Sequence, residues 1–191
     1  MDETSPLPGR WRSDASPWVR AVMEDFANNG VRDIAVQCAA QSAKTQTVMN
    51  CACWAIAEDP GPAIWVTATK DELRDFMRDR LTPTFETCRP VKERMAEPTL
   101  TGFAFDGMPF YAGWSGSKAR LQSKPIRWLF CDEVRNYPPG RLEMVLKRTR
   151  SFWNSRRFLI STPGSKGDAM DTAYRARSEE HTSELQSPNT I

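Results

Sequence analysis

The sequence contains little of what several classes of protein require. Among its 191 residues there is a single histidine, His181, so histidine-based catalysis has almost no raw material. No apolar run approaches the roughly 20 residues that a membrane-spanning helix needs. The acidic, proline-containing start, MDETSPLPG, does not have the composition of a signal peptide. The sequence therefore argues against histidine enzymes and membrane-spanning proteins.

The five cysteines are an odd number and show no paired CxxC spacing. Cys51 and Cys53 are two residues apart on one predicted helix, so their side chains point to different faces. We therefore expect reduced, buried thiols in a cytosolic protein rather than a disulfide framework or a zinc site.

The remaining composition is that of an ordinary globular protein, with 40% hydrophobic and 26% charged residues. The length suits one α/β domain with a sizeable core. A formal net charge of +2 permits contact with nucleic acid but does not indicate it.

Residues 33–50 have the layout of a phosphate-binding loop. A short apolar strand is followed by a loop of small residues, and Lys44-Thr45 then begins a segment with helical apolar spacing. In such a loop, backbone N–H groups and the helix N-terminus bind phosphate, lysine neutralises it, and the hydroxyl ligates Mg²⁺. Both glycines of G-x-x-x-x-G-K-[ST] are replaced, by Cys38 and Ala43. This match is weak alone, because Lys-Thr at a helix start is also an ordinary surface pair.

A second stretch, IRWLFCDEV at residues 126–134, supplies the other half of a nucleotide site. The apolar strand Trp128–Cys131 ends in two adjacent carboxylates, Asp132 and Glu133. In a Walker B element the aspartate holds Mg²⁺ and the glutamate polarises the attacking water. The alternative is a strand that simply enters a solvated turn. Together, in this order, the two stretches favour a nucleotide site. They predict an α/β fold of the P-loop NTPase (RecA/ASCE-like) type, with a mostly parallel central sheet flanked by helices.

The rest of the chain continues the alternation of strands and helices. Ser16-Pro17 begins a helix, Ala63–Thr67 reads as a strand, and another helix begins near Thr69. We expect prolines 83 and 90 to break this helical pattern. Asp106-Gly107 predicts a hairpin whose two strands extend the sheet.

Two polar segments have both a functional and an ordinary interpretation. Ser161 and Thr162 follow the predicted strand Phe158–Ile160, at the edge where ligands bind in open α/β sheets, so they either sense the γ-phosphate or form a turn. The loop of residues 115–123 carries Lys118 and Arg120. It is either a connection or a contact with DNA or with a neighbouring subunit's nucleotide.

Other cations and an aromatic residue are more ambiguous. Trp11 and Arg12 belong to an arm that either forms a simple tail or folds back against a bound base. The arginines 74, 78 and 80 point away from the apolar face of their predicted helix. They are expected to lie on the solvent-exposed face of this helix, with a role in contacting DNA as the alternative.

Assembled, these residues resemble the N-terminal ATPase domain of the large terminase subunits of tailed bacteriophages, in the lambda-like branch. The resemblance covers residues 7–171. Its motifs are PGRWR, AAQSAKTQ, WVTATKDELRDF, SGSKARLQSKPIRWLFCDEVRNYP and FLISTPGS. The most specific is the block around the acidic pair, because its lead-in contains Ser123, Pro125 and Arg127.

The resemblance implies roles for individual residues. Glu133 and Lys44 would be catalytic, Thr45 and Asp132 would hold Mg²⁺, and Ser161 and Thr162 would couple hydrolysis to movement. ATP would be bound by residues of the P-loop and of the arm: Gln41, Ser42, Ala43, Lys44, Thr45, Trp11 and Arg12. Ala43 departs from the usual glycine. The P-loop also lacks the charge-stabilising arginine that some terminases have, so Arg120, Lys118 or a neighbouring subunit would supply that charge.

For the whole protein, the resemblance implies a motor that hydrolyses ATP to package double-stranded viral DNA into a procapsid. Its partners would be the small terminase subunit, the portal protein and further copies in a homo-oligomeric ring, in the host cytoplasm. The alternatives are a helicase-like DNA translocase and a catalytically inactive remnant that binds DNA or protein.

We divide the chain into three parts. Residues 1–16 form the arm, residues 17–176 the ATPase domain, and residues 177–191 a tail that resembles a translated sequencing adapter. We expect the gene to be broken near Ala176. Because the nuclease domain of terminases would then be missing, we expect no DNA cleavage.

Overall fold

A six-stranded sheet forms the centre of the computed structural model, which describes residues 11–96, 102–117 and 124–175. Its strand order is β1-β6-β5-β2-β4-β3, and all neighbouring pairs are parallel except β3 with β4. The strands are β1 (Asp33–Gln37), β2 (Ala63–Thr67), β3 (Gly102–Phe105), β4 (Met108–Trp114), β5 (Trp128–Cys131) and β6 (Arg156–Ser161). The predicted mostly parallel α/β sheet is confirmed.

Helices cover both faces of this sheet. They are α1 (Trp18–Ala27), α2 (Lys44–Glu58), α3 (Lys70–Phe76), α4 (Thr82–Thr87), α5 (Arg89–Lys92), α6 (Arg141–Leu146) and α7 (Ala169–Arg175). A π-helical segment, Met77–Leu81, joins α3 to α4, and short 3₁₀ turns occupy Ser13–Ala15, Val134–Asn136 and Lys147–Ser151. In the described part of the chain no helix is long and apolar enough to cross a bilayer.

The core has two halves because alternate strand residues point to opposite faces. In β2, Trp65 packs on the side of α1, α2 and α4, whereas Val66 packs on the side of α6 and α7. In β5, Phe130 and Leu129 divide in the same way. All five residues of β2 are buried, as expected for a central parallel strand. This sandwich fixes the carboxyl ends of β1, β5 and β6 at one edge.

The prediction that Pro83 breaks the helix was wrong. The chain runs from α3 through the π-helical segment into α4, where Thr82 donates its backbone N–H to Met77 O, five residues earlier. A proline ring clashes with the preceding α-helical turn and removes one hydrogen bond. The wider π turn just before Pro83 removes that conflict, so the helix continues. A break does occur before Pro90, between α4 and α5.

The predicted hairpin is confirmed. β3 and β4 are antiparallel and joined at Asp106-Gly107, with Phe105 opposite Met108. Gly107 adopts φ 71°, a left-handed conformation that glycine takes without steric cost. Because β4 also pairs with β2, the hairpin extends the sheet as expected.

The conspicuous Arg127 of the Pro-x-Arg block has a structural role at the opposite edge of the sheet. Its guanidinium pairs with Asp59, donates from Nη1 to Pro60 O at 3.3 Å, and lies 4.6 Å from the ring centre of Trp128. Trp128 Nε1 donates to Asp59 O at 3.1 Å. Arg127 therefore fastens the turn before β2 to the start of β5.

The five cysteines are free thiols. Cys38, Cys51, Cys53 and Cys131 are buried, and Cys88 is half-buried. Burial raises the pKa of the Cys51 thiol, which lies on the core-facing side of α2.

Candidate nucleotide site

The P-loop has a left-handed backbone at Ala43, the position where the motif has its second glycine. Helix α2 begins at Lys44, as predicted, and the residue before it, Ala43, has φ 64°. Gln41 is also left-handed, with φ 58°. This conformation costs an L-residue about 1–2 kcal/mol, because Cβ approaches the following carbonyl. Thr47 holds the first turn of the helix by donating its N–H and hydroxyl to Ala43 O, at 2.9 and 3.0 Å.

The sheet brings the two halves of the site together. β6 lies between β1, which leads into the P-loop, and β5, which leads into the acidic pair. The backbone N–H of Cys38 donates to Ser161 O at 3.2 Å, so the P-loop leaves the sheet beside the end of β6. The P-loop, Asp132 and Ser161 therefore meet at one sheet edge, although 80 or more residues separate the first from the other two.

Lys44 forms an ion pair with Glu133, with 3.2 Å between Nζ and Oε1. The lysine side chain is 9% exposed and that of the glutamate 29%, so water screens the pair only in part. Glu133 itself has φ 49°, a left-handed conformation that is rare for this residue type. The backbone thus holds the carboxylate towards the lysine at a steric cost, which is common at functional sites.

Asp132 is buried beside this pair. Its Oδ1 has no hydrogen-bond partner among the described residues, whereas buried carboxylate oxygens are normally satisfied. Burial is the largest cause that raises the pKa of Asp132 to about 7, and the Glu133 carboxylate adds to it; the positive charges of Lys44 and Arg80 act in the opposite direction. A buried carboxylate whose Oδ1 has no hydrogen-bond partner among the described residues is a group suited to a positive ligand.

These residues fit an Mg²⁺ ion that would take its remaining ligands from phosphate oxygens and water. The Thr45 hydroxyl at the first turn of α2 and the Asp132 Oδ1 atom are oxygen ligands of the kind that Mg²⁺ takes. No group of three His, Cys, Asp or Glu side chains able to hold a metal occurs in the described part of the chain.

The hydroxyl pair at the end of β6, Ser161 and Thr162, contacts the Walker B turn. Thr162 donates its hydroxyl and its N–H to Glu133 Oε2, at 3.3 and 3.5 Å. Ser161 Oγ, which is fully buried, accepts the N–H of Arg135 at 3.3 Å. Of the two predicted coupling residues, Thr162 thus contacts the predicted catalytic carboxylate and Ser161 contacts the backbone two residues after it, although nothing in their sequence motif specified either contact.

Arg135 was missed by sequence reasoning. Its Nη1 donates to Pro163 O at 2.9 Å and its Nε lies 3.9 Å from Glu133 Oε2. The side chain therefore bridges the acidic pair and the segment after β6. Its position two residues after Glu133 was the only available signal.

The other predicted residues are not all brought to the site. Trp11 makes a local contact, with its Nε1 donating to Ser13 Oγ at 3.2 Å, and Arg12 is exposed. Their contact with a base stays a prediction. Lys118 and Arg120 lie outside the described residues, as does the tail from residue 177. Gln41 is exposed and Ser42 half-buried in the P-loop.

A cavity of about 410 Å³ opens beside the acidic pair. Its wall consists of the end of β2, the helical segment that follows and the two carboxylates: Thr67, Glu72, Asp75, Phe76, Asp79, Arg80, Asp132 and Glu133. The site therefore has an open approach on the β2 side of the Walker B strand.

Three solved structures of large terminases share this fold. The HK97 bacteriophage large terminase has a TM-score of 0.71 at 10% identity, covering 91% of this chain and 38% of that chain. The large terminase of a thermophilic bacteriophage, in complex with ADP, has a TM-score of 0.64 at 15% identity, covering 85% and 42%. The large terminase ATPase domain of Thermus phage P74-26 has a TM-score of 0.57 at 16% identity, covering 83% and 66%. The chain thus spans 38–66% of the length of these proteins.

Sequence comparisons give the family directly. A search of curated protein sequences found no match. The family described as "Phage terminase large subunit gpA, ATPase domain" matches residues 5–187, which include the P-loop, the acidic pair and the segment after β6. The matched interval also enters the tail, whose likeness to an adapter stays a prediction. The chain belongs to the phage terminase large subunit gpA family and carries its ATPase domain.

Proposed function

We propose that this chain is the motor domain of a terminase, hydrolysing ATP to drive the packaging of double-stranded viral DNA into a procapsid. The observation that supports this most directly is the meeting of Lys44 with Asp132 and Glu133 at the end of the parallel strands. An ammonium group, two carboxylates and a helix N-terminus at one point are the groups that phosphoryl transfer needs.

The residues divide the chemistry among them. Lys44 and the first turn of α2 bind the β- and γ-phosphates of ATP, while Thr45 and Asp132 hold Mg²⁺. When bound, Mg²⁺ neutralises phosphate charge. Glu133 orients a water molecule whose oxygen bonds to the γ-phosphorus as the bond to the β–γ bridging oxygen breaks. ADP and phosphate leave, and the proton from water passes through Glu133 to solvent.

Thr162 links the proposed reaction to the segment after β6. Because its hydroxyl contacts Glu133 Oε2, a shift of the carboxylate from Lys44 towards water alters the start of the segment after β6. Ser161 remains anchored through Arg135. The predicted coupling role of the hydroxyl pair is thereby given a physical path, from Glu133 to Thr162 and into the chain that leads to α7.

The family supports the wider setting of the proposal. The terminase of the thermophilic bacteriophage was solved with ADP, and we propose the same class of ligand here. We also propose membership of the lambda-like branch, a homo-oligomeric ring, and the small terminase subunit, the portal protein and DNA as partners in the host cytoplasm. Because this chain spans less than half of the HK97 protein, these partners belong to the whole terminase.

Hydrolysis by this chain tests the proposal. Lys44→Ala and Glu133→Gln should each lower DNA-stimulated ATP turnover about 100-fold or more, since each removes a group that acts on the transition state. Lys70→Ala and Glu143→Gln are matched controls. Lys70, like Lys44, is the first residue of a helix, and Lys70 and Glu143 are both exposed. Turnover that persists in both site variants would remove the site from consideration.

One observation favours a second function, a remnant that binds nucleotide without turning it over. Ala43 places a Cβ in a left-handed P-loop position where glycine is favoured, and a loop strained in this way resists rearrangement around phosphate. ATP binding with no turnover in the wild-type chain, with or without DNA, and turnover that appears in Ala43→Gly, is the result expected of a remnant held inactive by this residue.

A further inference from the structure

Arg80 is a cation at the proposed site that no sequence motif identified. It lines the same cavity as Asp132 and Glu133. It belongs to the π-helical segment between α3 and α4, on the opposite flank of β5 from β1 and the P-loop.

The other arginines of this helix are already engaged. Arg74 pairs with Asp71 at 3.3 Å and with Asp75 at 3.4 Å, and Arg78 pairs with Asp75 and Asp79. Arg80 forms no hydrogen bond or ion pair with any residue in the described ranges, although acidic residues line the same cavity. A guanidinium left without a partner among carboxylates is available for another anion.

The backbone gives Arg80 this position. A π turn holds one more residue than an α turn, so it changes which side chains face the sheet. The next residue, Leu81, is fully buried against the core, whereas Arg80 is exposed at the cavity. The π turn thus places Arg80 at the cavity, next to Leu81, which is fixed in the core. The same turn accommodates Pro83.

We propose that Arg80 stabilises the negative charge on the γ-phosphate during ATP hydrolysis, acting within its own subunit. This inference rests on the proposed function. The P-loop offers Ala39, Ala40 and Gln41 where some terminases carry an arginine, so it supplies no second cation. Lys44 approaches the phosphates from the side of α2, and Arg80 reaches them through the cavity from the side of β2.

The guanidinium suits this task. It is planar, always charged, and donates several hydrogen bonds in a fixed fork that matches phosphate oxygens. An interaction that is stronger in the transition state than in the ground state raises kcat without tightening nucleotide binding. Arg80 is therefore expected to act on turnover and on capture of a transition-state analogue, and to leave ADP affinity unchanged.

The test compares Arg80→Ala and Arg80→Lys with Arg74→Ala, a matched control on the same helical stretch that is exposed and lies outside the cavity wall. Arg80→Ala should lower kcat about 100-fold or more with little change in ADP affinity or melting temperature. It should also abolish capture of ADP with Mg²⁺ and aluminium fluoride. Arg80→Lys should retain part of the rate, as a point charge without the fork. Arg74→Ala should behave as wild type.

Three results would overturn the role of Arg80: a kcat for Arg80→Ala within threefold of wild type, an equal loss of ADP and analogue binding, or an equal defect in Arg74→Ala. Lys44→Ala distinguishes a failure of the proposed function from a failure of the proposed role of Arg80. If it hydrolyses ATP as fast as wild type, the proposed function fails; if it is inactive while Arg80→Ala is not impaired, only the role of Arg80 fails. Analogue capture requires no turnover, so a slow wild-type chain is tested equally well.

Discussion

Lys44 Nζ lies 3.2 Å from Glu133 Oε1, so the lysine expected to bind phosphate is in contact with the carboxylate expected to activate water. Phosphate and carboxylate therefore compete for one ammonium group. The contact also shows that two motifs nearly 90 residues apart in the sequence form a single site.

Removal of the Glu133 charge should tighten nucleotide binding while it stops turnover. In Glu133→Gln the ammonium of Lys44 no longer has a carboxylate partner, and the site loses one negative charge. We expect ATP and ADP affinity to rise about 3- to 10-fold, equivalent to about 1 kcal/mol of binding free energy. Calorimetric titration checks this, with Glu143→Gln as control. Weaker binding by Glu133→Gln would show that the pair does not compete with phosphate.

Ala43→Gly should stabilise the chain. At φ 64° the Cβ of Ala43 is strained, and removal of that strain outweighs the greater freedom of glycine in the unfolded chain. The free energy of unfolding should rise by about 0.5–1 kcal/mol, measured by urea denaturation. Ala57→Gly, within α2, should lower it by about 1 kcal/mol. If both substitutions destabilise equally, the left-handed geometry does not strain Ala43.

Arg127→Ala should destabilise the fold without changing the chemistry. The substitution leaves Asp59 without its guanidinium partner and removes the packing on Trp128. We expect a loss of about 2–3 kcal/mol in the free energy of unfolding, since breaking a largely buried pair costs more than losing an exposed one. ATP turnover below the melting temperature should be unchanged. Exposed Arg150 supplies the control, Arg150→Ala. A selective fall in kcat would instead give Arg127 a role in hydrolysis.

Asp132 should make stability depend on pH. Its pKa is about 7 in the folded chain and 3.8 for an ordinary aspartate, so between these values the folded chain keeps a proton that the unfolded chain releases. Stability therefore falls as pH rises through this window and levels off above pH 7. Between pH 5 and pH 8 the wild type should lose about 2–3 kcal/mol more than Asp132→Asn. Denaturation at each pH measures this. Asp106→Asn, at the hairpin, should retain the wild-type slope, and the same slope in Asp132→Asn would contradict the prediction.

Local pattern was sufficient to predict the regular elements of the fold. The strands Ala63–Thr67 and Trp128–Cys131 and the start of α2 at Lys44 were all correct, because buried parallel strands are continuous apolar runs and helices have their own apolar period. Pro83 was misjudged because the π turn that accommodates it carries no sequence signal of its own. Local rules describe a regular helix, whereas this turn depends on how Leu81 packs in the core.

The candidate site divides in the same way. Lys44, Asp132 and Glu133 could be predicted because fixed motifs carry them. Arg80 and Arg135 could not, since their importance comes from which elements the fold places beside the acidic pair. Arg127, which the sequence analysis used only as a marker of the motif block, fastens the turn before β2 to the start of β5, a role that its motif did not predict.

The position of β6 limits where motion can begin. The strand is hydrogen-bonded to β1 along one side and to β5 along the other, so it cannot slide without breaking two ladders at once. In the proposed motor, a displacement caused by hydrolysis therefore starts beyond Ser161. The nine residues 162–170 are held at both ends, by β6 and by Met170, whose side chain is fully buried at the start of α7. In the proposed motor, the short span between these two anchors, rather than a movement of the sheet, therefore limits how far the chain after Ser161 travels.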